Sequence, residues 1–151
     1  MRFVGIDPAA TKGIALVSVG VGHGGAIMST SPVYKQSEIQ RLVSIRRWVN
    51  AYTPKSSVCI LVEQQFQGRI LREIGAVCSE GAQAKAPGAL VLGMVPSSWR
   101  LALSGSGRMS KEAAMNIAEE WGVPRQDDLA EALCMALTAR KRWLGETAGK
   151  P

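Results

Sequence analysis

The sequence is short of the residues from which many functional sites are built. It has one histidine, His23, and three cysteines, Cys59, Cys78 and Cys134, set far apart among apolar neighbours. Without a C-x-x-C pair or a second histidine there is no zinc-ligand set, and an odd number of scattered cysteines makes no disulfide framework. The three read as buried thiols. With no second histidine and no suitably placed nucleophile, His23 is assigned no catalytic role. No window approaches the ~20 apolar residues that span a bilayer, so no membrane partner is expected. The N-terminal Met1-Arg2-Phe3-Val4-Gly5-Ile6-Asp7 lacks the long apolar stretch of a signal peptide and reads as a strand, which makes a cytoplasmic address the expectation. There are only three aspartates, Asp7, Asp127 and Asp128, and two of them are neighbours.

What is present suits one domain. At 151 residues with 46% apolar and 20% charged composition, folding buries about two thirds of the surface the unfolded chain exposes. Eighteen Lys and Arg against twelve Asp and Glu give a net charge of +6, which favours a polyanionic partner.

Residues 2–7 and 13–19 are β-branched and apolar runs, and 26–30 continues in that style after a glycine-rich turn, predicting a three-stranded meander. From Ser37 the period turns helical. Ser37 and Gln40 suit a capping box, and Ile39, Leu42, Val43, Val49 and Tyr52 recur until Pro54, predicting a helix over 37–52. Residues 58–62 form a short continuous apolar run, as in a central strand buried on both faces. Ile70, Leu71, Ile74, Val77 and Cys78 mark a second helix, and residues 89–95 a fifth strand closed by Pro96. Ser104-Gly105-Ser106-Gly107 reads as a loop. Ser110 caps a helix through Trp121, and a last helix covers 127–143. The order βββαβαβαα implies an α/β fold: one five-stranded mixed sheet, three strands antiparallel and then parallel crossovers, with helices on both faces. The domain is expected over 1–144, with 145–151 a flexible tail.

Gly20-Val21-Gly22-His23-Gly24-Gly25 fits the G-x-G-x-x-G pattern, but the next residues read as strand rather than helix. A hairpin turn explains it, and no nucleotide cofactor is expected. The acids carry more. Asp7 ends the first strand at a turn, which suits a turn former. Glu63 ends the central strand, where an unpaired carboxylate is costly. Asp128 and Glu131, three residues apart, share one face of the last helix near its N-terminus, where capping and the helix dipole alone would favour acids. Two strand ends and the first turn of a helix across them can gather four carboxylates, and cations must then neutralise them. Hard oxygen donors select Mg²⁺ or Mn²⁺ over zinc, and a two-metal carboxylate site matches phosphodiester hydrolysis.

Val4-Gly5-Ile6-Asp7-Pro8 with Gly13, Glu63-Gln64-Gln65-Phe66, and Asp128-Leu129-Ala130-Glu131-Ala132-Leu133 resemble the three acidic motifs of the RuvC Holliday junction resolvases, in order and at similar spacing. Val95-Pro96-Ser97-Ser98-Trp99-Arg100, Ser104-Gly105-Ser106-Gly107 and Lys111 resemble the segment of that family in which two basic residues flank a glycine-containing loop. The resemblance spans almost the whole chain. It implies an RNase H-like nuclease domain, two Mg²⁺ per active site with Mn²⁺ able to substitute, and a homodimer that nicks two strands of four-way junction DNA. By position it makes Asp7, Glu63, Asp128 and Glu131 the metal-binding catalytic acids and Lys111 a catalytic group. Arg100 and Lys111 become phosphate contacts and Phe66 a base-stacking aromatic, with core packing as its other reading. Arg69, Arg72 and Arg108 are further DNA-contact candidates.

The chain departs from the pattern at Glu131, where Asp is usual, at Arg100, where Lys is common, and at Ala9, where glycine follows the Asp-Pro. Glu131, with its longer side chain, is expected to be the loosest ligand, and Asp127 is a second candidate for the third acid. The chain is slightly shorter than bacterial enzymes, which suits a phage origin and the cytoplasm of a bacterium or infected host. The second helix around Ile70, Ile74 and Val77 is the expected dimer face. Three rivals remain: a related nuclease that matures ribosomal RNA, an actin-like or sugar-kinase-like ATP-binding domain, which needs two such domains, and a junction-binding protein without catalysis.

Overall fold

Alternating apolar positions in the first thirty residues form the antiparallel meander β1 (Arg2–Pro8), β2 (Ile14–Val19) and β3 (Ile27–Thr30). The computed structural model describes residues 1–8, 13–65, 68–105 and 107–148. After α1 (Glu38–Tyr52), β4 (Ser57–Glu63) enters beside β1 and parallel to it. After α2 (Arg69–Lys85), β5 (Leu90–Met94) lies parallel to β4. The strand order is β3-β2-β1-β4-β5. The helices α3 (Pro96–Ser104), α4 (Lys111–Glu120) and α5 (Asp127–Ala148) complete the chain.

Strand alternation divides the core into two layers. Val4, Ile6, Ile14, Leu16, Ile60 and Val62 face α1 and α2, where they meet Ile45, Trp48, Val49, Ile74, Cys78 and Ala82. Phe3, Val17, Val19, Cys59 and Leu61 face the other way, onto Trp99, Ala114, Ala118 and the buried side of α5. The three thiols are buried, and burial pushes that of Cys78 well up and that of Cys134 to about 12. The residues 20–25 connect β2 to β3 as a turn, with Gly24 and Gly25 at positive φ, and His23 lies against the Trp121 ring.

The structure differs from the sequence reading in four places. Helix α3 occupies the segment from Pro96 to Ser104, between the expected end of the fifth strand and the expected loop, where the sequence pattern assigns no element. Pro96 opens the helix rather than closing the strand alone, because a first-turn residue needs no N–H partner. Ser104 belongs to α3, and the chain leaves it through Gly105 in the left-handed conformation. Ile74 is fully buried in the core and cannot form a dimer face, Val77 packs against that core, and Ile70 alone of the three is exposed. In α1 the buried stripe is Ile45, Trp48 and Val49, whereas Ile39 and Val43 lie at the surface. Helix α5 also continues past Trp143 to Ala148.

Candidate metal centre

The parity of two parallel strands places two acids side by side. Phe3, Gly5 and Asp7 in β1, like Cys59, Leu61 and Glu63 in β4, alternate toward α5. Ile6 is in register with Val62, so the next residues along the two strands are Asp7 and Glu63. Helix α5 crosses β1 at Gly5. A Cβ there would lie 2.0 Å from the Ala132 carbonyl oxygen and 2.5 Å from the Ala136 nitrogen, so only glycine lets the helix come this close. The preceding turn of α5 then brings Glu131 onto the two strand ends. One carboxylate oxygen each from Asp7, Glu63 and Glu131 lies within 4.8 Å of the other two. Asp128, one turn earlier and half-buried, is near enough to act on Asp7 electrostatically but lies outside that set.

The cluster is short of compensating charge. Asp7 and Glu63 are 5% and 4% exposed. Burial, then the negative charges of Glu63, Glu131 and Asp128, and a hydrogen bond with Glu131 hold the Asp7 carboxyl well above its ordinary range. Burial also raises Glu63, opposed by hydrogen bonds from Trp99 and Gln65; Glu131 raises it further and Arg100 lowers it. The Trp99 Nε1–H donates to Glu63 Oε2 at 2.9 Å, and the Gln65 amide donates to Oε1 at 3.2 Å. Arg100 donates to Glu131 Oε1 at 3.0 Å, with its guanidinium 5.2 Å from the Trp99 ring centre. Three converging carboxylates with so little positive charge among them are a set that can hold a metal ion.

The basic candidates are distributed around this centre. Arg100 and Lys111 line a narrow cleft with Asp127 and Glu131. Lys111 opens α4 behind the Ser110 cap and pairs with Asp127 at 3.5 Å, so Asp127 faces that lysine and is not in the cluster. Arg69 is engaged by Glu38 and Glu73. Arg72 borders a separate cavity of about 200 Å³ with Gln64, Gln65, Gly75 and Ser79. Arg108 is exposed in the segment between α3 and α4. Phe66 lies outside the described residues.

Two contributors escaped the reading of the sequence. Gln65 lies within an acidic motif and Trp99 beside Arg100, yet neither was given a role. The available signal for Trp99 was a buried indole, whose N–H needs an acceptor, but it is visible only once α3 is recognised as a helix.

No protein-family model matches the chain. The crossover junction endodeoxyribonuclease RuvC of Parasynechococcus marenigrum (strain WH8102) is 32% identical over 157 residues, covering 91% of this chain and 97% of the relative. The enzyme of the same name from Synechococcus sp. (strain CC9902) is 32% identical over 159 residues with the same coverage. Among solved structures, Thermus thermophilus RuvC superposes with a TM-score of 0.67 at 23% identity, covering 96% of this chain and 97% of that one. The same protein in complex with a Holliday junction substrate gives 0.65 at 24% identity, covering 96% of each chain. These two likenesses establish the RNase H-like fold. Sequence identity at this level over nearly the whole of both chains, with the acids gathered on that fold, places the protein in the RuvC family of crossover junction endodeoxyribonucleases.

Proposed function

We propose that the protein is a structure-selective DNA endonuclease that resolves four-way Holliday junctions by paired hydrolysis of phosphodiester bonds. The observation that carries this reading is the convergence of the buried strand-end acids Asp7 and Glu63 with the partly exposed Glu131 of α5, with Asp128 one helical turn away. These four acids hold two divalent ions per site, Mg²⁺ with Mn²⁺ able to replace it, because an all-carboxylate set favours hard cations. A divalent ion held there would supply Lewis-acid chemistry for phosphodiester hydrolysis, activating a water and stabilising the leaving 3′ oxygen.

The chain's own groups bind and orient the substrate. Arg100 and Lys111 are the catalytic-site cations, set in the cleft that reaches Glu131 and able to meet phosphate oxygens. Arg69, Arg72 and Arg108 contact the backbone, which positions the DNA without reading its sequence. Phe66 stacks on an unpaired base at the junction. Two symmetric nicks need two active sites, so the working form is a twofold homodimer. Among the described residues no helix is long and apolar enough to cross a membrane, and the proposed place of action is the cytoplasm.

The test uses labelled four-way junction, matched linear duplex and an RNA hairpin, with and without Mg²⁺, and maps the nicks. Paired, metal-dependent nicks confined to the junction are expected. Preferential cutting of the hairpin would instead support a nuclease of RNA maturation, and junction binding without nicks would leave a binding protein.

A further inference from the structure

Two consecutive residues of α3 hold two of the acids, which come from different elements. Trp99 donates to Glu63 of β4, and Arg100 donates to Glu131 of α5. Trp99 is fully buried, and its hydrogen bond spans 36 residues of sequence, so it reaches the strand end through a packed helix. The other donor to Glu63, Gln65, is only two residues away, half-buried, and more distant at 3.2 Å. The indole N–H is donor only. It cannot turn to accept a hydrogen bond, as an amide or hydroxyl can, and a buried N–H without an acceptor is costly. Glu63 therefore has one oxygen tied to a rigid ring whose orientation is set by the core.

We propose that Trp99 is a positioning residue of the metal centre, whose indole N–H holds the Glu63 carboxylate in the Asp7–Glu63–Glu131 cluster and thereby sets the affinity of the site for divalent cations. The inference rests on the metal-site reading of these acids. Packing alone does not account for the arrangement, because phenylalanine fills a core without a buried donor to satisfy. An outer hydrogen-bond partner that orients a metal-binding side chain is worth about 10- to 100-fold in metal affinity.

Two measurements on the full chain, without DNA, test this. In the first, Mn²⁺ is titrated calorimetrically into metal-free wild type and Trp99→Phe, and both are melted in chelator. The expected result is Mn²⁺ binding weakened by about 10- to 100-fold in a variant that remains folded. Wild-type affinity in Trp99→Phe, whatever its melting temperature, would show that the ring only packs. The second covers the case in which Trp99→Phe does not fold. The four tryptophans of ¹⁵N-labelled wild type give separate indole N–H signals, which are followed while Mg²⁺ is added and compared with Glu63→Gln. One indole signal should move in both experiments. If no signal responds to both, the positioning role is lost. If wild type takes up neither Mn²⁺ nor Mg²⁺, the metal-site reading itself falls; if wild type binds and Trp99→Phe binds equally, only the positioning role does.

Discussion

An amide in place of Asp7 keeps the size of the side chain and removes the charge that a hard cation needs. Asp7→Asn is therefore expected to leave a folded protein that binds junctions as well as, or better than, wild type, because one repulsive charge facing the phosphates is gone. Nicking should fall by at least the roughly 100-fold reached when an outer partner of a metal ligand is removed, measured in single turnover at saturating Mg²⁺. Substantial nicking by a preparation free of host nuclease would remove the basis for the carboxylate site. Glu63→Gln should behave alike. The geometry reorders the other two acids: Glu131 stands in the close set and Asp128 does not, so Asp128→Asn is expected to be milder than Glu131→Gln, the reverse of what side-chain length alone suggests. Glu63 was legible in the sequence because a carboxylate closing a buried apolar strand is expensive and so conspicuous, whereas Asp7, Asp128 and Glu131 each also suit a turn or a helix cap and stand out only as a set. Trp99 was not legible, since an indole in an apolar segment looks like core, and its role depends on where its one N–H points.

Among the elements, the approach of α5 to β1 is the contact on which the site depends, and Gly5 controls it. Adding one methyl in Gly5→Ala sets a Cβ against backbone atoms of Ala132 and Ala136 and the Met135 Cβ, so the helix must move. Overpacking of this kind costs about 1–3 kcal/mol, and it also draws Glu131 away from Asp7. Urea denaturation should show that loss, and nicking should fall further than the unfolded fraction explains. Gly75→Ala in α2 is the control. Its Cβ would meet nothing nearer than the Glu63 carbonyl oxygen at 3.8 Å, and removing a helical glycine stabilises by up to about 1 kcal/mol. Equal destabilisation by both substitutions would mean that the close crossing at Gly5 is not what matters. All five strands and the helices α1, α2, α4 and α5 were readable from periodicity and caps, as at Ser37 and Ser110, whose side chains accept the expected backbone N–H groups. Helix α3 was hidden because proline is a stop signal in one context and a helix-opening residue in another. Which apolar residues of α1 are buried was not legible, because apolar spacing says that a stripe exists, while the neighbours α2 and β2 decide which residues it buries.

Over the whole molecule, a net charge of +6 coexists with a buried knot of negative charge, and the two should respond oppositely to solution conditions. Phosphate contacts release counterions, so junction affinity should fall linearly on a log–log plot against salt, with or without Mg²⁺. A gel-shift series in chelator checks this, and affinity indifferent to salt would exclude a basic DNA-binding face. Fold stability should instead follow the acids. The carboxyls of Asp7 and Glu63 hold their protons more tightly in the folded chain than in the unfolded one, where such groups ionise near pH 4. Below about pH 4 both states are protonated and the cluster costs nothing. As pH rises through the elevated folded values, the native state must give up protons it binds preferentially, and stability is lost until both groups are ionised. Glu38, held below its usual range by Arg69, works in the opposite direction but only at lower pH. Divalent ions bind the ionised native cluster, so their stabilisation grows as protons leave. Metal-free protein should therefore melt higher near about pH 5.5 than near about pH 8, and Mg²⁺ should raise the melting temperature more at the higher pH. Asp7→Asn should flatten the metal-free dependence, melt above wild type near about pH 8, and lose most of the Mg²⁺ increment. Scanning calorimetry in chelator and in Mg²⁺ distinguishes these curves. If wild type and Asp7→Asn trace the same pH dependence and gain equally from Mg²⁺, the acids at the strand ends are neither mutually repulsive nor the place where the cation binds.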